Sequence, residues 1–293
     1  MDSNFKERLL QIHHCNIGWN TILKLLRYDP SLKSIYSLTT QEAENHLNIS
    51  LINARKLIND LHIFKNQSML NHYKAKNIHI LTIFDEQYPE HLKQIFDPPW
   101  VLYLIGDISI LSKQKKLGVV GTRHPSINGY TSMEKVIAPL IQEGWIIVSG
   151  LAKGIDTHAH ELTIKCKGNT IGVIAGGFNH IYPKSNLVLA QEMKRTQLII
   201  SEYPPNQEPR RWQFPMRNRI ISGLSLGTLV VEAKEVSGSL ITANLALQQG
   251  REVFAIPGSI NTNDSEGCHR LIQAGAKLVI NSKDITSEIT YLE

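Results

Sequence analysis

From Leu117 onward the sequence carries seven short apolar runs: LGVVG, WIIVSG, TIGVIAG, QLIIS, GTLVVEA, EVFAIPG and AKLVI. Stretches of helical periodicity separate them, near residues 129–142, 156–167, 184–195, 215–224, 238–249 and 266–274. None of the runs alternates polar with apolar residues, so each strand must be covered on both faces. Strands alternating with helices are joined by right-handed crossovers and lie parallel. The pattern predicts an α/β fold, a Rossmann-like doubly wound, mostly parallel sheet over residues 113–293. Ligands of such sheets sit beyond the carboxyl ends of the strands. Here those ends carry Gly121, Ser149-Gly150, Gly176-Gly177, Ser201 and Gly258, whose loops converge on one edge.

Residues 1–76 read differently. Apolar residues recur at i, i+3, i+4 spacing in 5–12, 19–26, 40–47 and 52–76, which predicts a small N-terminal helical domain, SAM/helix-hairpin-helix-like. Helix-hairpin-helix modules dock a short turn on nucleic-acid phosphates through backbone amides, and NIGWNTILKLL fits such a turn. Asn20 stands where a second hairpin glycine belongs, so a packing role is favoured. Residues 77–112 contain the extended piece Ile78 to Ile83, Pro89, Pro98, Pro99 and the strand-like WVLYLIG, and read as a connecting segment. No winged-helix domain is expected after Ile289.

Hydrophobic residues make up 42% of the 293-residue chain and charged residues 19%, which excludes a disordered polyelectrolyte. No run of about 18 apolar residues occurs, and the start MDSNFKERLL lacks a signal-peptide apolar region. A cytoplasmic protein without a membrane partner is expected. Cys15, Cys166 and Cys268 are far apart and form no Cys-x-x-Cys, so reduced thiols are expected, not disulfides or thiolate zinc. The net charge is +5, but residues 1–78 hold +4 of it and residues 79–293 only +1. Any anion site in the larger part must therefore be a local cluster.

Such a cluster lies around SEYPPNQEPRRWQFPMRNRIISGLSLG. From 195 to 219 five arginines (Arg195, Arg210, Arg211, Arg217, Arg219) face two acids (Glu202, Glu208), with Trp212 and Phe214 interleaved. Cations track phosphates and flat rings stack on bases, which makes Arg211 a candidate phosphate ligand. Pro215 suits a first helical turn, and Ile220, Ile221 and Leu224 follow at helical spacing. Arg217 shares their stripe, so it points inward and needs an anionic partner, whether ligand or protein. Arg219 lies off the stripe and is either a solvated surface charge or a ligand contact. Asn218, between them, is assigned to shaping the segment.

Other strand ends add candidates. Arg123 in GTRHPSINGY emerges at the crevice, where a phosphate fits. In SGLAKGID, Gly150 and Gly154 allow turns, Asp156 is read as a helix N-cap, and Lys153 is left for an anion. GxGxxG spacing is lacking, as are a ribose-binding acid after the second strand and a GxxxxGK loop, so no NAD or P-loop nucleotide is implied. His158 and His160 stand at i, i+2 and share no helical face, which favours a loop anchor over a metal site. GLSLG around Ser225 has the spacing of a nucleophile elbow, with Asp264 and His269 downstream, but a helix precedes it and a strand follows, the reverse of what the elbow requires. Glu232 is open to two structural roles, pairing an arginine or capping an amide. The serines and glycine of SGSLITA expose amides near the same crevice.

With these blocks in hand, the chain closely resembles the DNA-processing protein DprA (Smf) family. The matching segments are VVGTR, SGLAKGIDTHAH, YPKSN after a glycine pair, SEYPP, FPMRNRIISGLS, VVEAKEVSGSLITA and GREVFAIPG, in order over nearly all of residues 80–280. The resemblance implies a dimeric single-stranded-DNA-binding protein of natural transformation, which protects incoming DNA and helps load the RecA recombinase. It implies phosphate binding by Arg123, Lys153, Lys184, Arg217 and Arg219 and base stacking by Phe214. Gly121, Gly150, Gly154, Asp156, Gly176, Gly177 and Asn218 shape the loops, and no catalytic residue, metal or cofactor is expected. AGGFNHIYP and Asn206 depart from the family's usual loop sequences. A rival reading is a nucleotide-hydrolysing enzyme, because LGTLVVEA loosely resembles the PGGxGTxxE turn of phosphoribohydrolases without its leading PGG.

Overall fold

A computed structural model of the chain describes residues 4–64 and 68–290. The chain divides into two units, Met1–Asp85 with Pro99–Leu102 and Glu86–Pro98 with Tyr103–Glu293. The smaller holds the helices Phe5–His14, Trp19–Tyr28, Thr40–Leu47, Leu51–Phe64 and Met69–Ala75 and the strand β1, Ile78–Thr82. Residues 65–67, within the single helix expected over 52–76, lie outside the described residues, and helices flank them. The periodic positions Leu9, Leu10, Ile22, Leu25, Leu57 and Leu61 are buried, as an amphipathic pattern requires. In the turn between the first two helices, Asn16 takes the left-handed backbone at φ 53° while Gly18 has an ordinary φ of −64°. A capping box starts the third helix: Thr39 accepts from the Glu42 amide at 3.2 Å and its own amide donates to Glu42 at 2.8 Å.

The strands that follow are β2 (Val101–Gly106), β3 (Lys116–Val120), β4 (Ile146–Ser149), β5 (Thr170–Ile174) and β6 (Leu198–Ser201). Then come β7 (Gly227–Val230), β8 (Glu252–Ala255) and β9 (Lys277–Leu278). Their order in the sheet is β2-β6-β5-β4-β3-β7-β8-β9. Every ladder from β6 to β9 is parallel, and β2 runs antiparallel to β6 with Tyr103 opposite Ser201. The doubly wound, mostly parallel α/β sheet predicted from the apolar runs is thus the fold. β3 to β7 are buried at each position, which is why their sequences lack alternation. The AKLVI run contributes only the two exposed residues of β9 at the edge.

On one face, Met133, Val136, Ile137 and Leu140 of helix Ile127–Gln142 and Ile155, Ala159 and Leu162 of helix Ile155–Lys165 share a core with Leu117, Val119, Leu229 and Phe254. Helices Gln213–Leu224 and Gly238–Gln248 pack on β3, β5, β7 and β8. The chain steps outward from β3 to β6 and then returns to the other side of β3 for β7. That reversal parts the loops after β3 and β7 and opens a crevice at the carboxyl edge. Among the described residues, no helix is long and apolar enough to cross a membrane.

His160 is carried into this core and is fully buried, with Nδ1 2.6 Å from the Thr170 hydroxyl and Nε2 without a partner among the described residues. Burial, reinforced by Arg217, pulls its pKa from 6.5 down to about 3. The unfolded chain takes up a proton below 6.5 that the folded chain refuses until about 3. Its contribution to stability is therefore full above pH 6.5 and falls with acidification towards pH 3, by about 1.4 kcal/mol per pH unit for this one proton. In denaturant titrations between pH 7 and pH 4, His160→Gln is expected to flatten the loss of stability; a variant with the wild-type slope contradicts the assignment.

Candidate nucleic-acid interface

Two adjoining hollows open at the carboxyl edge of the larger unit. One, of about 190 Å³, reaches in towards Ile174, Gly176 and Pro183. The other, a cleft of about 840 Å³, extends to Ser237, Gly238 and Thr242. Arg123, His124, Tyr182, Phe214 and Arg217 border both.

Arg217 is the central group. Its place three and four residues before Ile220 and Ile221 puts it on the buried stripe of helix Gln213–Leu224, where it is 5% exposed. Nη1 donates to the Val173 carbonyl at 2.6 Å, and Nε is buried without a partner among the described residues. A Cβ at Gly150 would lie 1.8 Å from Nη1, so the bare backbone there is what admits the guanidinium. Burial lowers the Arg217 pKa to about 10, opposed by Asp156 and reinforced by Arg123, so it is a cation at neutral pH. The buried Asp156 carboxylate accepts from the amides of Gly150 at 3.1 Å and Ala152 at 3.4 Å. Burial raises its pKa, with Arg217 acting against that.

Around Arg217, the hollows are lined by the further cations Arg123, Lys153, Arg211 and Lys234 and, among the described residues, by one carboxylate, the already bonded Asp156. Arg123, Lys153 and Arg211 are exposed, and Lys234 faces Asp264 at 3.5 Å. Low-dielectric walls carrying one sign of charge concentrate an anion. Phe214, half-buried, meets Tyr182 edge to face at 5.7 Å and 71°, and Tyr182 is 55% exposed. The site thus offers a buried cation on its wall, exposed cations at the rim, and ring surface beside them. An anion with several acceptor oxygens joined to a flat ring satisfies all three.

The glycine-rich turns hold these parts in register. Gly121 precedes Arg123 at the end of β3 and packs beside Ile155. Gly154, at φ 77°, is the N-cap of helix Ile155–Lys165, which corrects the reading of Asp156 as that cap: Asp156 is a helical residue whose carboxylate bonds the preceding turn. Gly176 lines the smaller hollow, and at Gly177 a Cβ would lie 2.1 Å from the Pro204 carbonyl, so the glycine pair lets the proline segment lie against the β5 turn. Asn218 lines the cleft. Lys184 is exposed in the short turn Lys184–Asn186, two residues past Tyr182, and lines neither hollow.

Arg219 is a second correction. It is 6% exposed and pairs with Glu202 at 2.7 Å; it borders neither hollow. Burial acts against its charge, but Glu202 prevails and raises its pKa. Two residues turn a helix by about 200°, so Arg219 leaves the side opposite Arg217. That side is covered as well, because helix Glu90–Lys93 packs there and buries Gly223 beside Leu92. Glu232 takes the second of its two roles, accepting from the Ser126 amide and hydroxyl, both at 3.1 Å. His158 bonds Glu134 at 2.7 Å, and among the described residues no group of three or more His, Cys, Asp or Glu is placed to hold a metal. Trp212 is 53% exposed and rests edge-on to Tyr203, away from the cleft lining. Tyr182, His124, His180 and Lys234 line the hollows without having been singled out in the sequence. Tyr182 and Lys234 each had a signal, lying in the YPKSN and VVEAKEVSGSLITA blocks.

A family model described as DNA recombination-mediator protein A matches residues 79–290. This chain belongs to that family. The DprA (Smf) resemblance read from the sequence therefore holds. Within the family, DNA processing protein DprA of Bacillus subtilis is 47% identical over 270 residues, 92% of this chain and 89% of that protein. The X-ray structure of DprA from Streptococcus pneumoniae aligns with a TM-score of 0.83 at 39% identity, over 95% of this chain and 96% of that one. DNA processing protein A from Helicobacter pylori, which binds single-stranded DNA, aligns with a TM-score of 0.65 at 30% identity, over 73% of this chain and 95% of that one.

Proposed function

We propose that the larger unit binds single-stranded DNA with little regard to sequence and catalyses no reaction. Arg217 anchors a phosphate inside the cleft, Arg123, Lys153 and Arg211 hold flanking phosphates, Lys184 extends the path at the rim, and Phe214 stacks on a base. The observation that carries this reading is the buried Arg217 cation on the wall of a cleft that Arg123 and Arg211 also line and whose one carboxylate among the described residues is already hydrogen-bonded. The Helicobacter pylori relative supports it. Stacking needs a base with a free face, which selects single strands over duplex. Family membership extends the proposal to the cell: a cytoplasmic homodimer that protects incoming single strands in natural transformation and helps load the RecA recombinase.

The phosphoribohydrolase alternative needs a glutamate free to act at the turn after β7. Glu232 is 3% exposed, bonded to Ser126, and lines neither hollow of the basic site. Replacing Phe214 with leucine is expected to weaken oligothymidylate binding by about 1–3 kcal/mol, the worth of one stacked base, with the salt dependence unchanged. Wild-type affinity in a folded Phe214→Leu protein contradicts base stacking there, and equal affinity of the wild type for duplex and single strand contradicts the function.

A further inference from the structure

The far end of the large cleft has its own polar construction. Helix Gly238–Gln248 starts there: Ser237 is its N-cap and accepts from the Ser239 amide at 3.3 Å. The amide of Gly238, the first helical residue, donates to no described residue. A helix start presents unpaired N–H groups and the positive end of the peptide dipoles. That alone defines no site, but one turn further on Thr242 lines the same cleft, is 1% exposed, and its hydroxyl has no partner among the described residues. A threonine buried in a helix ordinarily returns its hydroxyl to a carbonyl of the preceding turn. Here the hydroxyl of a buried threonine and an amide with no described acceptor border one end of the cleft, and Arg217 borders the other. Val236, 92% exposed, and Ile241, 42% exposed, flank that end with apolar surface suited to a sugar or a base.

We propose that this helix start is a second, uncharged phosphate subsite, so that one single strand is held at two separate phosphodiesters, by the Arg217 cation at one end of the cleft and by the Gly238 amide and Thr242 hydroxyl at the other. This rests on the reading of the cleft as a single-strand site. Two anchors of different chemistry fix the path of the strand. The cationic one sets the salt dependence, and the neutral one adds affinity that salt does not screen.

Proline is tolerated at a first helical position, and Ser237 already has the extended backbone, φ −144° and ψ 145°, that a residue before proline adopts. Gly238→Pro therefore removes the one N–H without disturbing the helix. Gly238→Ala keeps it, and its Cβ points into open space. Titrations of the wild type, Gly238→Ala, Gly238→Pro and Thr242→Val with oligothymidylates of increasing length separate the possibilities. Expected is a loss of about tenfold for Gly238→Pro, a smaller loss for Thr242→Val, none for Gly238→Ala, and an unchanged salt slope in all of them. The losses should vanish for oligomers too short to leave the Arg217 end. Wild-type affinity of Gly238→Pro for every length overturns the second subsite while leaving single-strand binding intact. A wild type that binds no oligothymidylate overturns the underlying reading instead.

Discussion

Arg217→Ala is expected to lower the affinity for single-stranded DNA by at least about tenfold and to reduce the slope of log affinity against log salt by ~0.7, the share of one phosphate contact on a single strand. Both effects are expected of one side chain because Arg217 combines charge with burial, and at 5% exposure it loses little to water. The substitution also removes the hydrogen bond to the Val173 carbonyl and the cation near Asp156, so some loss of stability is expected with it. Arg217→Lys separates the two consequences. It keeps the charge, and hence most of the salt slope, while losing the planar donor geometry that bonds Val173 and that the proposed phosphate contact requires. A folded Arg217→Ala protein with wild-type affinity and slope removes this residue from the site.

Glu202→Gln has the opposite profile, a large effect on stability and little on binding. It strands Arg219, whose side chain is 7% exposed and whose ion-pair partner is Glu202 at 2.7 Å. Leaving one member of a buried pair uncompensated costs about 3–5 kcal/mol. For a unit of this size the melting temperature is expected to fall by on the order of 10 °C. Well below the melting range, single-strand affinity should stay at the wild-type value, because neither residue borders the hollows. A double variant, Glu202→Leu with Arg219→Met, should recover much of the loss, as apolar pairs of similar volume often do. Thermal melting checks this, and an unchanged Tm for Glu202→Gln means that solvent reaches Arg219.

These two arginines also show where the sequence was readable. The sheet was legible because β3 to β7 are buried on both faces, which leaves unbroken apolar runs between helical segments. The inward direction of Arg217 followed from its spacing to Ile220 and Ile221. The burial of Arg219 did not, because a periodicity argument assumes one covered face, and helix Gln213–Leu224 has residues buried on more than one. Asp156 misled for a local reason: a carboxylate beside a glycine turn reads as an N-cap, but Gly154 at φ 77° starts the helix, and the acid folds back onto Gly150 and Ala152. Tyr182 reaches Phe214 across some thirty positions of sequence, a juxtaposition that only the fold creates.

We place the grip on an unpaired strand at the carboxyl edge of the sheet, in a few cations set around Arg217. Its most direct test is a filter-binding titration of the full chain with single-stranded and duplex DNA of equal length over a range of salt concentrations. Arg123, Lys153, Arg211 and Arg217 predict a log–log slope of about −3 for the single strand, near 0.7 per phosphate, together with much weaker binding of duplex. Affinity that does not respond to salt, or that is equal for the two forms, contradicts it.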